Sequence, residues 1–393
     1  MSSAVPQNRS RWVEQWIQRY RRMRADQRIR KQGHWLHIDS PEAETVIDNN
    51  HALLQGFLLT PPGTEVVWKG CHGKREYPVL SQTRTDLKVS FPAWQAHPFQ
   101  VLIEAGDDSH SWVLEASLNG QNHTWSHAFR FSTEAADRFQ EAKRTKLEAI
   151  RPLFKEEIPS VSDRNYNSLT DALREQGGVR PTGNISAHAY DERAMACLES
   201  IREGWILDNG CGLRGTYYSR VVNYEIVDYP TTDVLGIGEH LPFKDNVFEA
   251  VFSLNVLEHV RDPFQCAREI HRVLKPGGVA YVAVPFLQPF HGYPNHYYNM
   301  TSEGLKNLFS AFQVEASGVV PAGQPIHSLT WFLRSYLAGL PEEEARKFGN
   351  MRVADLAGDP SGYLDAPFVK QLSETTQDEL ASVNFVLARK SAD

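Results

Sequence analysis

The stretch WILDNGCG, residues 205–212, is the most informative segment for the fold of the C-terminal half of this chain. It begins with apolar side chains, reaches an acid at Asp208 and ends on two glycines, a pattern typical of a buried strand that runs into a tight turn. Gly210 and Gly212 tolerate positive φ and let a ligand approach the backbone closely. Their spacing differs from the G-x-G-x-x-G pattern of dinucleotide sites, which disfavours a nicotinamide oxidoreductase. The Asp208 carboxylate would repel a pyrophosphate and suits a ligand that carries an ammonium group.

Strand and helix patterns alternate on both sides of this stretch. Helical patterns cover 189–204 and 261–278, and strand patterns cover 221–228, 231–243, 248–260 and 279–286. This alternation predicts a parallel sheet covered on both faces. Ligands of such sheets bind beyond the carboxyl ends of the strands. Glu225 stands at the end of the second strand, where a carboxylate can accept hydrogen bonds from both hydroxyls of a ribose.

The segments LDNGCG, NYEI, GEHLPFKDNVFEAVFS, VLEHVRDP and EIHRVLKPGG, in this order and spacing, resemble the class I S-adenosylmethionine-dependent methyltransferases. The resemblance covers about residues 185–390 and is nearest to the branch with an LPF turn and a VLEHV segment. It implies a Rossmann-like α/β fold with a seven-stranded sheet, whose last two strands would be 312–320 and 382–390. It also implies S-adenosyl-L-methionine as the cofactor.

The same resemblance implies roles for individual residues. The methionine part of the cofactor would be held by the first strand's turn, the ribose by Glu225 and the adenine by the GIGEHLPF turn, with Asn255 near the sulfonium. Ile237 stands where many members have an acid, so adenine recognition would depend on the backbone around it. Arg214 replaces a common third glycine and either reaches a carboxylate or is solvated. The predicted cofactor residues are Asp208, Gly210, Gly212, Glu225, Gly238, Glu239, Leu241 and Asn255.

The stretch PFLQPFHGYPNHYYNMT, residues 285–301, follows the fifth strand and should lie over the transferred methyl group. Removing the proton of an acceptor hydroxyl needs a base, and histidine is the side chain best suited to this near neutral pH. The candidate catalytic residues are His296, slightly preferred, His291 and His259. Tyr293, Tyr297 and Tyr298 would form an aromatic wall for a sugar or lipid. The alternative is that one histidine and most tyrosines only cap the sheet.

A metal site is a second interpretation of the same region. Asn255, Glu258 and His259 lie one turn apart, and with His296 they could coordinate a divalent cation that lowers the pKa of the acceptor hydroxyl. Some O-methyltransferases look similar here, with E-x-x-E-H and a later histidine. Asn255 replaces the first acid of that pattern and weakens the ligand set, so the metal content is left open.

The N-terminal half follows a different pattern. Short alternating runs separated by turn signals such as Asn119-Gly120 predict an all-β sandwich over 34–133, and this segment resembles the immunoglobulin-like modules of glycan-processing enzymes. It is followed by a linker helix and connection over 134–181 and by the methyltransferase domain over 182–393. The pattern over residues 1–33 predicts a basic amphipathic helix with an aromatic stripe at Trp12, Trp16, Tyr20 and Met23. That stripe packs on protein, or residues 9–31 contact a membrane surface or polyanion.

Composition limits the function further. The 393-residue chain has a net charge of −7, which disfavours general nucleic-acid binding, and its four scattered cysteines suggest neither disulfides nor a zinc site. Without an apolar signal segment the expected location is cytoplasmic, and a peripheral position at the membrane is the alternative. The predicted function is O-methylation of a glycan or glycolipid precursor. The alternatives are methylation of a small phenolic or lipophilic metabolite and a non-catalytic scaffold, and a homo-oligomer is left open.

Overall fold

This computed structural model describes residues 23, 25–82, 84–106, 110–158, 160–161, 164–181, 185–292 and 295–390. Most of the predicted basic helix, including Trp12, Trp16 and Tyr20, lies outside the described residues, so its contact with a membrane or polyanion stays a prediction. Residues 25–32 are helical and form α1. Ala25 and Ile29 are buried in a cluster with residues of the all-β region, so this end of the helix packs on its own protein.

The N-terminal region is built from two β-sheets. One has the strand order β1-β3-β7-β6 and the other the order β2-β9-β8-β4-β5. Most neighbours are antiparallel, whereas β2 and β9 are parallel. The elements in chain order are β1 Trp35–Ser40, β2 Thr45–Ile47, β3 His51–Thr60, β4 Val66–His72, β5 Glu76–Tyr77, β6 Leu80–Ser81, α2 Thr85–Ser90, β7 Gln95–Glu104, β8 Ser111–Leu118 and β9 Gln121–Phe131.

The two sheets share one hydrophobic core. Side chains alternate between buried and less buried along β8, which places Trp112 and Leu114 on its inner face. They pack in the same cluster as Leu54 and Phe99 from the other sheet, as stacked sheets require. The predicted all-β region is therefore confirmed, while its resemblance to immunoglobulin-like modules stays a prediction.

The C-terminal region alternates strands and helices as predicted. Its elements are α3 Thr133–Ile150, β10 Ser160–Val161, β11 Asn165–Asn167, α4 Asp171–Gly177, α5 Glu192–Ser200, β12 Trp205–Asn209, β13 Val221–Glu225, β14 Val234–Leu235, β15 Phe248–Leu254, α6 Pro263–Val273, β16 Leu274–Ala283, α7 Ser302–Leu308, α8 Pro325–Ala338, α9 Glu342–Gly349, α10 Val353–Leu356, α11 Pro367–Lys370 and α12 Glu374–Glu379. Among the described residues, no helix has the length and hydropathy needed to cross a membrane.

These strands form a seven-stranded sheet in the order β10-β11-β14-β13-β12-β15-β16. All neighbours from β11 to β16 are parallel, and β10 is antiparallel to β11. The chain moves from β12 outward to β13 and β14 and then returns to place β15 on the other side of β12. This reversal separates the loops that follow β12 and β15 and creates the crevice in which open parallel sheets bind ligands.

The prediction of the last two strands was wrong. Within the described residues, 312–320 and 382–390 contain no strand, and side chains such as Val319, Phe385 and Leu387 are more than half exposed. Apolar, β-branched composition favours a strand only where a partner strand and a packing surface are available, because β-propensity depends on context. The sheet instead has seven strands because β10 and β11 join its opposite edge. They come from the segment predicted to be an irregular connection.

Helix α3 is anchored to this sheet by a buried charge network. Lys146 forms an ion pair of 2.6 Å with Asp233, and both side chains are almost completely buried. The Lys146 ammonium also donates to the Val221 carbonyl at 2.7 Å and lies 3.5 Å from the centre of the Tyr217 ring. Burial lowers the pKa of Lys146, and the Asp233 carboxylate opposes that shift. The predicted linker helix therefore packs on the sheet.

Candidate functional site

A cavity of about 690 Å³ opens at the carboxyl ends of the central strands. This volume is within the range typical of cofactor and substrate sites, which is about 300–1,000 Å³. The loops after β12, β13, β14, β15 and β16 all contribute to its wall. The predicted site residues that line it are Gly210, Glu225, Gly238, Glu239, Asn255, His259 and His291. The other predicted residues, Asp208, Gly212, Leu241 and His296, lie outside the lining.

The turn after β12 requires its two glycines. Gly210 has φ of 78°, and a Cβ atom there would lie 2.5 Å from a methyl carbon of Val256. Gly212 has φ of 62°, and its Cβ would lie 2.7 Å from the Ser186 carbonyl oxygen. Both the left-handed conformation and the lack of space exclude larger side chains. The turn therefore needs glycine at both positions, and Gly210 lies in the cavity wall.

Glu225 ends β13 with its carboxylate held by two backbone groups. Its Oε2 atom accepts from the Gly212 N–H at 2.7 Å, and its Oε1 atom accepts from the Ile226 N–H at 2.8 Å. Burial raises the pKa of Glu225, whereas these backbone bonds oppose the rise. Each oxygen keeps further lone-pair capacity, so the carboxylate can also accept two hydroxyl groups.

The sequence predicted that Asp208 faces the ammonium group of the cofactor, but its carboxylate is bound by other side chains of the protein. Its Oδ2 atom accepts from Arg214 at 2.8 Å and from the Tyr190 hydroxyl at 2.5 Å. The Arg214 guanidinium lies over the Tyr190 ring, 4.1 Å from its centre, and is buried. Arg214 therefore reaches a carboxylate, which was one of its two predicted interpretations. Asp208 Oδ1 is buried without a hydrogen-bond partner.

The segment after β14 contributes an apolar residue to the cavity wall. Ile237 is buried among Leu169 and Leu235 and lines the cavity as an apolar wall. A Cβ atom at Gly238 would lie 3.1 Å from the Cys266 sulfur and 3.2 Å from Asn209 Nδ2, so the chain passes closely there. Leu241 packs in the core and does not reach the cavity.

Three histidine rings meet where β15 and β16 end. The ring centres of His259 and His291 are 5.4 Å apart, and that of His296 lies 4.4 Å from His291 and 5.8 Å from His259. His259 and His291 line the cavity. His296 accepts the His291 backbone N–H at Nδ1 and pairs with Asn299 through Nε2, so both of its ring nitrogens are occupied. This arrangement favours His291 over the preferred His296 as the group that faces an acceptor.

The hydrogen bonds at the other two rings define their tautomers. His259 Nδ1 is 2.7 Å from the Asn295 carbonyl oxygen, and His291 Nδ1 is 2.8 Å from the Pro289 carbonyl oxygen. A carbonyl oxygen only accepts, so each Nδ1 carries the proton and each Nε2 presents a lone pair. Burial lowers the pKa of His259 to about 4 and also lowers that of His291.

Glu258 is completely buried beside these rings. It lies 3.7 Å from His259 Nε2, and neither of its carboxylate oxygens has a hydrogen-bond partner. Burial raises the pKa of Glu258 to about 8. Of the predicted aromatic wall, Tyr297 and Tyr298 do not line the cavity, and Tyr293 lies outside the described residues.

The cavity also contains residues that the sequence did not single out. Trp331 of α8 covers His291, with ring centres 5.2 Å apart, and Val320 and Gly323 line the same side. Tyr190 binds Asp208 from the segment before α5. No local pattern marks these residues, because each reaches the site from a distant segment. In the sequence, the best indication of these cavity residues was the helical pattern of α8, which contains a tryptophan.

The described residues fit S-adenosylmethionine. The Glu225 carboxylate suits a pair of ribose hydroxyls, and Gly210 permits close backbone approach. Ile237 offers an apolar surface for the adenine ring. Asn209 Nδ2 is a buried donor without a partner in a residue that lines the cavity, as expected of a group that waits for a ligand.

Comparisons with known proteins agree with this geometry. Residues 215–282 match the family model described as "Methyltransferase domain". The chain is 51% identical to cycloartenol-C-24-methyltransferase 1 from Oryza sativa subsp. japonica over 22% of its own length and 32% of that protein. It is 40% identical to demethylmenaquinone methyltransferase from Chlorobaculum tepidum, with coverage of 24% and 47%. The chain thus spans between about a third and a half of the length of these relatives.

A solved structure of Haemonchus contortus phosphoethanolamine N-methyltransferase 2 in complex with S-adenosyl-L-methionine is also similar. The sequence identity is 13%, the coverage is 80% of this chain and 65% of that one, and the TM-score is 0.27.

Proposed function

The C-terminal region is a class I S-adenosylmethionine-dependent methyltransferase domain, and we propose that this chain methylates a hydroxyl group of an organic acceptor. The observation that carries the proposal is the pair of Nε2 lone pairs of His259 and His291 at the cavity that also contains Gly210 and Glu225. Hydroxyl acceptors must lose a proton as the new bond forms, whereas many carbon and sulfur acceptors have other routes.

The protein's own residues supply orientation and proton transfer. S-adenosylmethionine, when bound, supplies a methyl group on a sulfonium, which becomes a neutral thioether as the methyl carbon bonds to the acceptor oxygen. Glu225 would hold the ribose through its two oxygens. His291 Nε2 would take the hydroxyl proton, because the Pro289 carbonyl keeps the other nitrogen protonated. The lowered pKa of His291 keeps the ring neutral, and so able to accept a proton, at pH 7.

We put a glycan or glycolipid precursor first as the acceptor. Sugar hydroxyls have high pKa values and depend most on a neighbouring base, which these histidines provide. The two-sheet N-terminal region supplies a large additional surface on which an extended acceptor can lie. This assignment rests partly on analogy with modular glycan-processing enzymes.

A small phenolic or lipophilic metabolite is the second candidate acceptor. Phe286, Leu287 and Phe290 are each at least half exposed, and they adjoin the cavity residues Pro285 and His291. These exposed apolar side chains suit a lipophilic substrate better than a sugar. The names of the sterol and quinone methyltransferases among the relatives are consistent with this candidate.

The test is a turnover assay with S-adenosylmethionine and two acceptor panels, one of glycans and glycolipid precursors and one of phenols and reduced quinones. Methyl ether products are identified by mass spectrometry. His291→Ala should lower kcat by about 10²- to 10⁴-fold, the usual contribution of a general base. His271→Ala is the matched control, because His271 is an exposed histidine of α6 outside the cavity.

Methylation at carbon or nitrogen, or a His291→Ala variant with unchanged kcat, would contradict hydroxyl methylation with this base. Turnover of the phenolic panel alone would replace the glycan assignment. A folded chain that fails to bind S-adenosylmethionine would support the scaffold alternative.

A further inference from the structure

We propose that Glu258, His259 and His291 bind a divalent metal ion, with Zn²⁺ as the favoured cation. One potential ligand atom from each of these residues lies within 4.8 Å of the other two. The set differs from the sequence-based metal set, because His291 replaces His296 and Asn255 is not included. His296 is excluded since both of its ring nitrogens already have partners.

The two histidines are prepared for metal coordination by their hydrogen bonds. Each donates its Nδ1 proton to a backbone carbonyl, at 2.7 Å for His259 and 2.8 Å for His291. Metal-bound histidines almost always donate their second ring nitrogen to a carbonyl or carboxylate, which fixes the ring and directs the other lone pair to the ion. The described structure therefore already contains the outer contacts that such a site needs.

Glu258 supplies an independent observation. Its side chain is completely buried, and neither carboxylate oxygen has a hydrogen-bond partner. Leaving a buried carboxyl group without a partner costs free energy, so native proteins rarely keep one without a reason. A metal ion next to His259 would pair with this carboxylate directly.

The loop that carries His291 is built tightly against His259. Gly292 has φ of 90°, and a Cβ atom there would lie 2.2 Å from His259 Cε1. Only glycine allows the backbone to pass at this distance, so the loop is held where the two rings approach each other. Trp331 packs against the His291 ring, with ring centres 5.2 Å apart.

The donor set indicates the metal. Two imidazole nitrogens with one carboxylate oxygen suit a borderline cation such as Zn²⁺ better than Mg²⁺ or Ca²⁺, which prefer oxygen ligands. Three protein ligands leave a fourth tetrahedral position open toward the cavity, as in catalytic zinc sites. If the proposed function is right, that position would take the acceptor hydroxyl and lower its pKa. The hydroxyl proton would then pass to water, because His291 Nε2, which is the base in the metal-free site, is a ligand when the ion is bound.

The experiment is isothermal titration of Zn²⁺ into the tag-free full-length chain, after dialysis against a chelator. We expect one site, with affinity weakened by at least about 100-fold in both Glu258→Gln and His291→Ala, more than the loss of an outer-shell contact costs. His271→Ala should bind Zn²⁺ like the wild type. Circular dichroism and S-adenosylmethionine binding show that each variant is folded. Co²⁺ absorption provides a second readout, because tetrahedral coordination gives intense visible bands.

Several results would overturn the site. They are no Zn²⁺ binding by the wild type, or binding that the folded Glu258→Gln and His291→Ala variants both retain. Failure of the two proposals is distinguishable. Zn²⁺ binding without methylation of any hydroxyl would leave the site and remove the proposed function. Chelator-resistant methylation of a hydroxyl by a chain that binds no Zn²⁺ would leave the function and remove the site.

Discussion

Replacing Glu225 by Gln should weaken S-adenosylmethionine binding by about 10- to 100-fold. The carboxylate accepts hydrogen bonds from the Gly212 and Ile226 N–H groups, and Glu225 lines the cavity. Glutamine keeps one acceptor oxygen and replaces the other with an NH₂ donor. One ribose hydroxyl therefore loses its partner. A hydrogen bond to a charged group contributes about 1.5–3 kcal/mol, and each 1.4 kcal/mol is about tenfold in affinity.

The assay is isothermal titration of S-adenosylmethionine into the wild type, Glu225→Gln and a matched control. Glu344→Gln is the control, because Glu344 is a similarly buried glutamate of α9 outside the cavity, paired with Lys347 at 2.6 Å. It should bind the cofactor like the wild type. A folded Glu225→Gln variant with affinity within about twofold of the wild type would refute the assignment of Glu225 to the ribose.

Three further outcomes are expected. Lys146→Met should destabilise the protein by about 3–5 kcal/mol in urea unfolding, because the buried Asp233 carboxylate keeps its hydrogen bonds from Tyr217 and Asn223 but loses the cation paired with it. Arg144→Ala removes only exposed ion pairs from the same helix and should lower the free energy of unfolding by less than about 1 kcal/mol. An equal loss in Lys146→Met and Arg144→Ala would contradict a stabilising role of the buried charge network. Gly210→Ala should reduce both stability and cofactor affinity, because its methyl group would overlap Val256, and unchanged thermal unfolding and titration would exclude that crowding. Burial lowers the pKa of His51 to about 4, so the unfolded chain binds more protons below pH 6.5. The free energy of unfolding should thus decrease by up to about 3 kcal/mol as the pH falls from 6.5 to 4, relative to its value at pH 7. In His51→Gln, the free energy of unfolding measured with urea should change less over this pH range.

The polar ends of the strands were predictable because parallel strands bring their carboxyl ends to one edge. This rule placed Gly210 and Glu225 at one edge, the family resemblance added Asn255, and the structure places all three on the cavity. The glycine turn was also predictable, because positive φ and close contact leave few other residues possible. The division into an all-β region and an α/β region followed from the change of apolar period.

Other features depended on contacts between distant segments. Composition suggested strands at 312–320 and 382–390, but strand formation needs a partner edge, and β10 and β11 complete the sheet instead. The carboxylate of Asp208 was expected to face a ligand, yet a buried arginine six residues away neutralises it.

The choice among the three histidines was likewise made by tertiary structure. From the sequence it followed that imidazoles come after the fourth and fifth predicted strands. Only the fold decided that His296 uses both ring nitrogens internally while His259 and His291 present lone pairs to the cavity. The physical reason is that a side chain's chemistry depends on its type, which is local, whereas its protonation and availability depend on burial and hydrogen-bond partners, which the folded chain supplies from elsewhere.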